Sequence, residues 1–314
     1  MKKVVITGAG GFIGYALAER LVNDDVEVYA VVRSAKKKMA SLLSQKKFHI
    51  ILCDLQNIDQ LIDLVAERDF DVFYHFAWQG VSNEDSTSLE VQLDNVKATA
   101  KAVEIAKLLG CKKFVFASSI MEYELDCLMQ TELFSGKRNI YRAAKKMATS
   151  VGRIYCNNSK IEYSVALVTN VYGPREFSNR FVISTLRKML NNEKVCFSAA
   201  TQLYDFCYID DAVNILVLIG DKGKNNFTYY IGDAEPQPLR NYILTMKECV
   251  GGQSELVFDA GGEFIGVSLK YNEFDIYSTE RELGYKRKVD FEDGINKTVQ
   301  WIKNGGYSDG NKFV

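Results

Sequence analysis

Apolar and polar positions along the first half of the chain switch repeatedly between two patterns. Short runs rich in valine, isoleucine and phenylalanine read as buried strands at 4–7, 26–33, 48–53, 71–77, 113–118 and 163–169. Between them, apolar residues recur at helical spacing. Ile13, Ala16, Leu17 and Leu21 share one face, as do Leu89, Leu93, Val96, Ala100 and Val103, and further helices are expected over 57–68 and 139–157. Strands alternating with helices at this pitch predict an α/β fold, a doubly wound parallel sheet covered on both faces. After Gly173-Pro174 the regularity breaks. Helices near 180–190, 210–220, 238–250 and 291–303, with short strands near 194–197, 228–231 and 255–258, predict a smaller α+β region. The expected division is 1–170 for the larger domain, with 205–220 packing back onto it, and 171–314 mainly for the smaller one. The last residues, from Asn304 on, are polar and glycine-rich and are expected to fray.

Composition narrows the class. The 314 residues are 47% hydrophobic and 25% charged, which fits a globular chain and excludes disorder. Thirty-nine basic residues stand against 40 acidic ones, so no net field calls for a nucleic acid or an anionic membrane as partner. The seven cysteines are scattered and form no C-x-x-C pair, which predicts neither a disulfide framework nor a zinc ribbon. The chain opens MKKVVITG, directly into a strand with no apolar leader, and apolar runs such as 215–219 fall far short of a bilayer span. A cytoplasmic protein is expected. The two histidines, His49 and His75, lie in apolar strand-like stretches and read as structural, so no metal site and no Ser-His-Asp triad are expected.

The turn Thr7-Gly8-Ala9-Gly10-Gly11-Phe12-Ile13-Gly14 lies between a strand and a helix. Glycines there allow a tight turn, close approach of backbone to a pyrophosphate, and tight packing of helix on strand. The free N–H groups and the positive helix end would then face the phosphates. Past the second strand, where an NAD site usually carries an acid for the ribose 2′-OH, stand Arg33 and Ser34, followed by Lys36, Lys37 and Lys38. Arg33 suits a 2′-phosphate and Ser34 can add a hydrogen bond, so NADP is the preferred cofactor and NAD the alternative. The three lysines read as a solvated run.

The spacing T-G-x-x-G-x-x-G resembles the cofactor motif of the short-chain dehydrogenase/reductases, in their extended branch acting on nucleotide sugars, the epimerase/dehydratase family. Further matches follow in order along nearly the whole chain. Asp54-Leu55 is similar to the pair that meets the adenine, and His75-Phe76-Ala77 to the fourth-strand motif beside the cofactor. Asn95 matches the family's helix asparagine. Phe114-Val115-Phe116-Ala117-Ser118-Ser119 with Tyr123 resembles the F-x-S-S-x-x-x-Y-G run, Glu124 standing for the glycine. Tyr141-x-x-x-Lys145 is similar to the catalytic pair. Asn170-Val171-Tyr172-Gly173-Pro174-Arg175 resembles the N-V-Y-G-P-R segment that enters the substrate domain, the segment from Asp205 to Asp211 the R-D-F-x-Y-V-D-D run, and Leu283-Gly284-Tyr285 the family's closing motif. The resemblance implies a Rossmann-like fold, cofactor contacts from Thr7, Gly8, Gly11, Phe12, Ile13, Gly14, Asp54, Leu55, Phe76, Ala77, Tyr141 and Lys145, substrate contacts from Ser119, Asn170, Arg175 and Tyr204, and a homodimer pairing the helices at 89–109 and 139–157.

The chemistry of these residues is consistent with that assignment. Tyr141 and Lys145 are one helical turn apart, and an ammonium at that distance favours the phenolate. Such a tyrosine can exchange the proton of a carbinol while hydride moves to or from nicotinamide. Ser119 can donate to the substrate oxygen as charge develops. By resemblance Asn95 orders a helix or a water that supports Lys145.

Two departures matter. The dehydratases' acidic pair is replaced by Ile120 and Met121, which disfavours dehydration, and Glu122, one step late, is expected at the surface. The arginine that usually grips the diphosphate is Tyr204, for which Arg175, Arg180 or Arg187 could substitute. The expected activity is reduction of a 4-keto nucleotide sugar. A 4-epimerase retaining NAD is the alternative, followed by a reductase of non-nucleotide carbonyl compounds or a non-catalytic dinucleotide sensor.

Overall fold

The computed structural model describes residues 1–34, 39–81, 84–129, 131, 136–260 and 268–307. The chain divides into two compact units. The first comprises Met1–Val168, Val213–Ile231 and Ser278–Tyr285, and the second comprises Thr169–Ala212, Gly232–Tyr277 and the described residues from Lys286 on.

The first unit is built on seven strands: β1 (Lys3–Thr7), β2 (Glu27–Val32), β3 (Phe48–Leu52), β4 (Val72–His75), β5 (Lys113–Ser119), β6 (Glu162–Val168) and β11 (Phe227–Ile231). They pair in the order β11-β6-β5-β4-β1-β2-β3, every neighbour parallel. The direction of travel reverses between β1 and β4, the position where open α/β sheets build their crevice. Around the sheet run α1 (Phe12–Asn23), α2 (Ala40–Leu43), α3 (Leu61–Leu64), α4 (Leu89–Leu108), α5 (Met121–Leu128), α6 (Asn139–Ser159) and α10 (Ser278–Leu283). The helix α8 (Ile209–Lys222) enters this unit at Val213.

Strands buried on both faces need apolar side chains at nearly every position, and Val4, Val5 and Ile6 are fully buried. On the face beneath α4 and α6, Phe73 stacks on Phe114 at 5.2 Å and Phe114 on Tyr163 at 6.3 Å. Tyr163 donates to the carbonyl of Thr149 at 3.0 Å. A Cβ on Gly152 would fall 2.9 Å from that tyrosine oxygen, so this glycine lets α6 approach the sheet.

Several elements differ from the sequence reading. The strand expected near 228–231 in the smaller region is instead the seventh strand of the main sheet, hydrogen-bonded to β6. The helix expected over 57–68 is a 3₁₀ segment, Leu55–Gln60, followed by the single turn α3. Asn57, at φ −112° and ψ 29°, breaks the helical path, and Val65 ends α3 in extended backbone. The helix α5 also has no counterpart in the sequence reading.

The second unit contains β7 (Asn170–Tyr172), β8 (Val195–Cys196), β9 (Leu203–Tyr204), β10 (Phe206–Tyr208), β12 (Gln237–Pro238) and β13 (Leu256–Val257), with α7 (Phe181–Leu190), α9 (Leu239–Val250) and α11 (Phe291–Lys303). The strands pair two by two, β10 with β7, β12 with β9 and β13 with β8. An aromatic cluster of Tyr172, Phe206, Tyr242 and Phe291 packs at its centre, the Tyr242 and Phe291 rings 4.6 Å apart. Among the described residues no helix is long and apolar enough to cross a membrane.

Candidate active site

One line of register, Val31–Thr7–His75–Phe116–Val165, crosses five strands of the sheet. The residues just past that line, at the carboxyl ends of the strands, include most of the motif positions in the first unit.

Thr7 ties β1 to β4. Its hydroxyl lies 2.9 Å from His75 Nδ1 and accepts from the Ala77 N–H at 3.3 Å, while the Phe76 N–H donates to the Thr7 carbonyl at 3.2 Å. Burial and the nearby Lys145 charge push His75 down to about 3, so the ring is neutral and structural. Gly8 follows at φ +72°, and a Cβ there would lie 2.6 Å from the Ala77 nitrogen. A Cβ on Gly14 would lie 2.4 Å from the Gly8 carbonyl oxygen. The Gly11 N–H closes the turn on that same oxygen at 2.8 Å. Helix α1 begins at Phe12 and Ile13 with no side-chain cap and no acidic residue in its first turn. A positive helix end approached by bare backbone fits a pyrophosphate.

Arg33 and Ser34 are exposed immediately beyond β2. Lys36, Lys37 and Lys38 lie outside the described residues. Asp54 caps the 3₁₀ segment, accepting from the Gln56 N–H at 3.0 Å, and Leu55 packs against the core.

The loop after β4 is held by α4. Asn95 accepts from the Gln79 N–H and donates to the Gln79 carbonyl, both at 2.8 Å. Gln92, fully buried, donates to the carbonyls of Gly80 and Asp85 and accepts from Trp78 Nε1 at 3.0 Å. Trp78 is thereby set against α6. Lys145 Nζ sits 3.7 Å from the centre of its ring and 5.2 Å from that of Phe116, and donates to the Ala117 carbonyl at 3.0 Å. Tyr141, buried one turn earlier, meets Trp78 edge to face at 6.1 Å. Burial brings the Lys145 ammonium down to about 7, with Glu122 opposing the change.

Ser119 ends β5 two residues beyond Ala117; both are half-buried, and the Ser119 hydroxyl accepts from the Met121 N–H at 3.3 Å. Ile120 is buried, and neither it nor Met121 offers a carboxyl. Glu122 departs from its expected place at the surface. Its carboxylate turns inward to accept from Thr149 at 2.5 Å, and burial raises it to about 7. Glu124, in place of the glycine, accepts two hydrogen bonds from Arg142 at one carboxylate oxygen, 2.9 Å from Nε and 2.6 Å from Nη2, which binds α5 to the residue after Tyr141. Trp78, Gln92, Thr149 and Arg142 had no role in the sequence reading. Only Thr149 left a signal, continuing the four-residue spacing of Tyr141 and Lys145.

In the second unit, Asn170 donates to the Asp205 carbonyl at 3.1 Å. Arg175 is exposed at φ +70°. Tyr204 stacks on Phe206 at 5.8 Å. Asp205, fully buried, accepts from the N–H groups of Asp233 and Ala234. Of the arginines considered for the missing charge, Arg180 stands 3.9 Å from Glu176, and Arg187 lies over the Tyr307 ring at 4.2 Å. Among the described residues no group of three or more His, Cys, Asp or Glu side chains could hold a metal ion.

A model of the NAD dependent epimerase/dehydratase family matches residues 4–232. The CDP-abequose synthase of Salmonella typhimurium is 24% identical, the match covering 95% of this chain and 97% of the relative. A putative UDP-glucose 4-epimerase of Methanocaldococcus jannaschii is 26% identical over 96% and 98% of the two chains. Among solved structures, the fold resembles that of the UDP-glucuronic acid 4-epimerase of Bacillus cereus in complex with UDP-glucuronic acid and NAD. That match has a TM-score of 0.78 and 23% identity, and covers 96% of this chain and 99% of the other. This chain is therefore an enzyme belonging to the NAD dependent epimerase/dehydratase family.

Proposed function

We propose that this enzyme is an NAD(P)-dependent oxidoreductase acting at C4 of a nucleotide-activated hexose, as a 4-keto sugar reductase. The observation that carries the reading is the placement of Tyr141 and Lys145 against Trp78, with Lys145 bonded to the strand that ends in Ser119. In this reading Thr7, Gly8, Gly11, Phe12, Ile13 and Gly14 hold the pyrophosphate, Asp54 and Leu55 flank the adenine, and Phe76 and Ala77 form the adjacent wall. When bound, the dinucleotide supplies hydride transfer. Tyr141 gives or takes the substrate proton at its phenolic oxygen, and the Lys145 ammonium favours the phenolate. Ser119 donates to the substrate oxygen, where negative charge develops. Asn95 keeps Gln79, and so the loop carrying Trp78, in place. Asn170, Arg175 and Tyr204 are assigned to the substrate.

Ile120 and Met121 support reduction over dehydration, since elimination of water needs an acid and a base beside the sugar. Arg33 and Ser34 at the end of β2 support NADP, which draws on the cell's reducing pool and turns over with each sugar. The second reading, a 4-epimerase that retains NAD, is supported by the Bacillus cereus neighbour, a 4-epimerase holding NAD. A homodimer is proposed through α4 and α6, which expose Leu89 and Leu93, and Met147 and Ile154, respectively.

The activity test supplies a nucleotide-4-keto-6-deoxyhexose with reduced cofactor and follows the nicotinamide absorbance. One cofactor oxidised per sugar is expected, with turnover at least about a hundredfold lower in Tyr141→Phe. Interconversion of two hydroxylated nucleotide sugars without net cofactor change would make the enzyme an epimerase, and near-normal turnover in Tyr141→Phe would remove the catalytic assignment. Titration should give tighter binding of NADP(H) than of NAD(H), the preference falling in Arg33→Ala; equal or reversed affinities count against the 2′-phosphate site. Sedimentation should give twice the chain mass, and half that value in Ile154→Glu. A monomeric wild type contradicts the dimer.

A further inference from the structure

Next to Lys145, side chains from three elements form a connected polar group. Thr149 stands one turn further along α6, on the same face. Its hydroxyl lies 2.5 Å from Glu122 Oε1 and 3.0 Å from Ser118 Oγ. A hydroxyl has one hydrogen to donate, and the carboxylate is the stronger acceptor, so Thr149 donates to Glu122 and its oxygen can accept from Ser118. The bond from Tyr163 to the Thr149 carbonyl and the close contact at Gly152 fix this turn of α6. Thr149 is therefore a rigid anchor for the Glu122 carboxylate.

The charges around this carboxylate are few. From α6 it faces Lys145 and Lys146, from α5 Asp126, and from β6 the neutral Tyr163. Lys146 and Asp126 form an ion pair with each other on the solvent side. Lys145 is buried, and its direct partners, the Ala117 carbonyl and the rings of Trp78 and Phe116, are uncharged. His75 on β4 is neutral. A buried ammonium without a compensating anion is costly, and the Glu122 carboxylate, held by Thr149 one helical turn from Lys145, favours it.

We propose that Glu122 is a positioning residue of the reaction: its inward carboxylate, anchored by Thr149, which Ser118 bonds in turn, favours the ammonium form of Lys145 beside Tyr141. The proposal rests on the reading of Tyr141 and Lys145 given above. Burial moves Glu122 up to about 7 and Lys145 down to about 7, and each group's charge works against the burial of the other. Without the carboxylate, burial alone acts on Lys145, which then releases its proton at lower pH.

Trp78 offers a readout that does not depend on turnover, because Lys145 Nζ lies over its ring. The chain has two tryptophans, and Trp301 packs in the second unit against Phe177 and Tyr307. In the Trp301→Phe background, Trp78 emission is titrated with pH, and the transition that Lys145→Met abolishes is assigned to Lys145. Glu122→Gln, which keeps an acceptor for Thr149 but no charge, should move that transition at least about one pH unit toward acid. Its kcat should fall on the alkaline side with KM unchanged. Thr149→Val, close in volume, should move the transition the same way by less, and serves if Glu122→Gln fails to fold. A transition that stays in place in both variants, or none that depends on Lys145, overturns the proposal. Tyr141→Phe turnover tests the underlying reading separately: full activity there, with the emission shift intact, would reject the catalytic role of Tyr141 and leave the Glu122–Lys145 coupling standing.

Discussion

The contact between the Gly8 backbone and the end of β4 is the constraint on which the rest of the site depends. A side chain at Gly8 would collide with the backbone of Phe76 and Ala77, and one at Gly14 with the Gly8 carbonyl. Backbone collisions cannot be relieved by a rotamer change. The two glycines therefore let three things happen within one turn: β1 ends level with β4, the chain reverses, and α1 starts with its positive end facing the turn. Thr7 sets the level by bonding both His75 and Ala77. Because the strands are parallel and in register, fixing β1 against β4 also fixes β5 and β6 along the same line, so the Ala117–Ser119 end of β5 is brought to a defined height.

Helix α6 supplies the second half of the arrangement. Tyr141, Lys145 and Thr149 follow one another at four-residue spacing, and Gly152 allows the helix to press on Tyr163. The cost of burying Lys145 is offset by a carbonyl, two aromatic faces and a carboxylate held one step away. The loop after β4 takes part because Gln92 and Asn95 bind its backbone and aim Trp78. A rigid sheet edge and a close-packed helix thus hold a buried lysine between a backbone carbonyl and two aromatic faces.

The parts legible in the sequence are those with a local physical signature. Six strands stood out because burial on both faces demands continuous apolar runs, and the glycine turn because few backbones can follow its path. The place of the seventh strand, β11, is not legible in the sequence, since its partner β6 lies about sixty residues away and short apolar runs do not name their neighbours. The helical spacing over 57–68 exceeds the helix that forms, because apolar periodicity persists past the points where Asn57 and Val65 leave helical geometry. The inward turn of Glu122 is hidden for a related reason. A glutamate reads as solvated until a donor such as Thr149, which comes from another helix, is placed beside it. Trp78, Gln92 and Arg142 are likewise defined by partners distant in sequence, so motif positions could be read from the chain while the network around them could not.

The bare backbone at Gly8 is the feature on which dinucleotide binding most directly depends, and one calorimetric comparison tests this. Dinucleotide affinity is measured for Gly8→Ala and Gly10→Ala, with circular dichroism confirming that each remains folded. A Cβ at Gly10 would meet only Val32, at 3.5 Å, so this variant should bind like the wild type. A side chain at Gly8 is forced into left-handed backbone, at about 1–3 kcal/mol, and against Ala77 as well, so affinity should fall at least about tenfold. Equal affinity for the cofactor in both variants would contradict this role of Gly8.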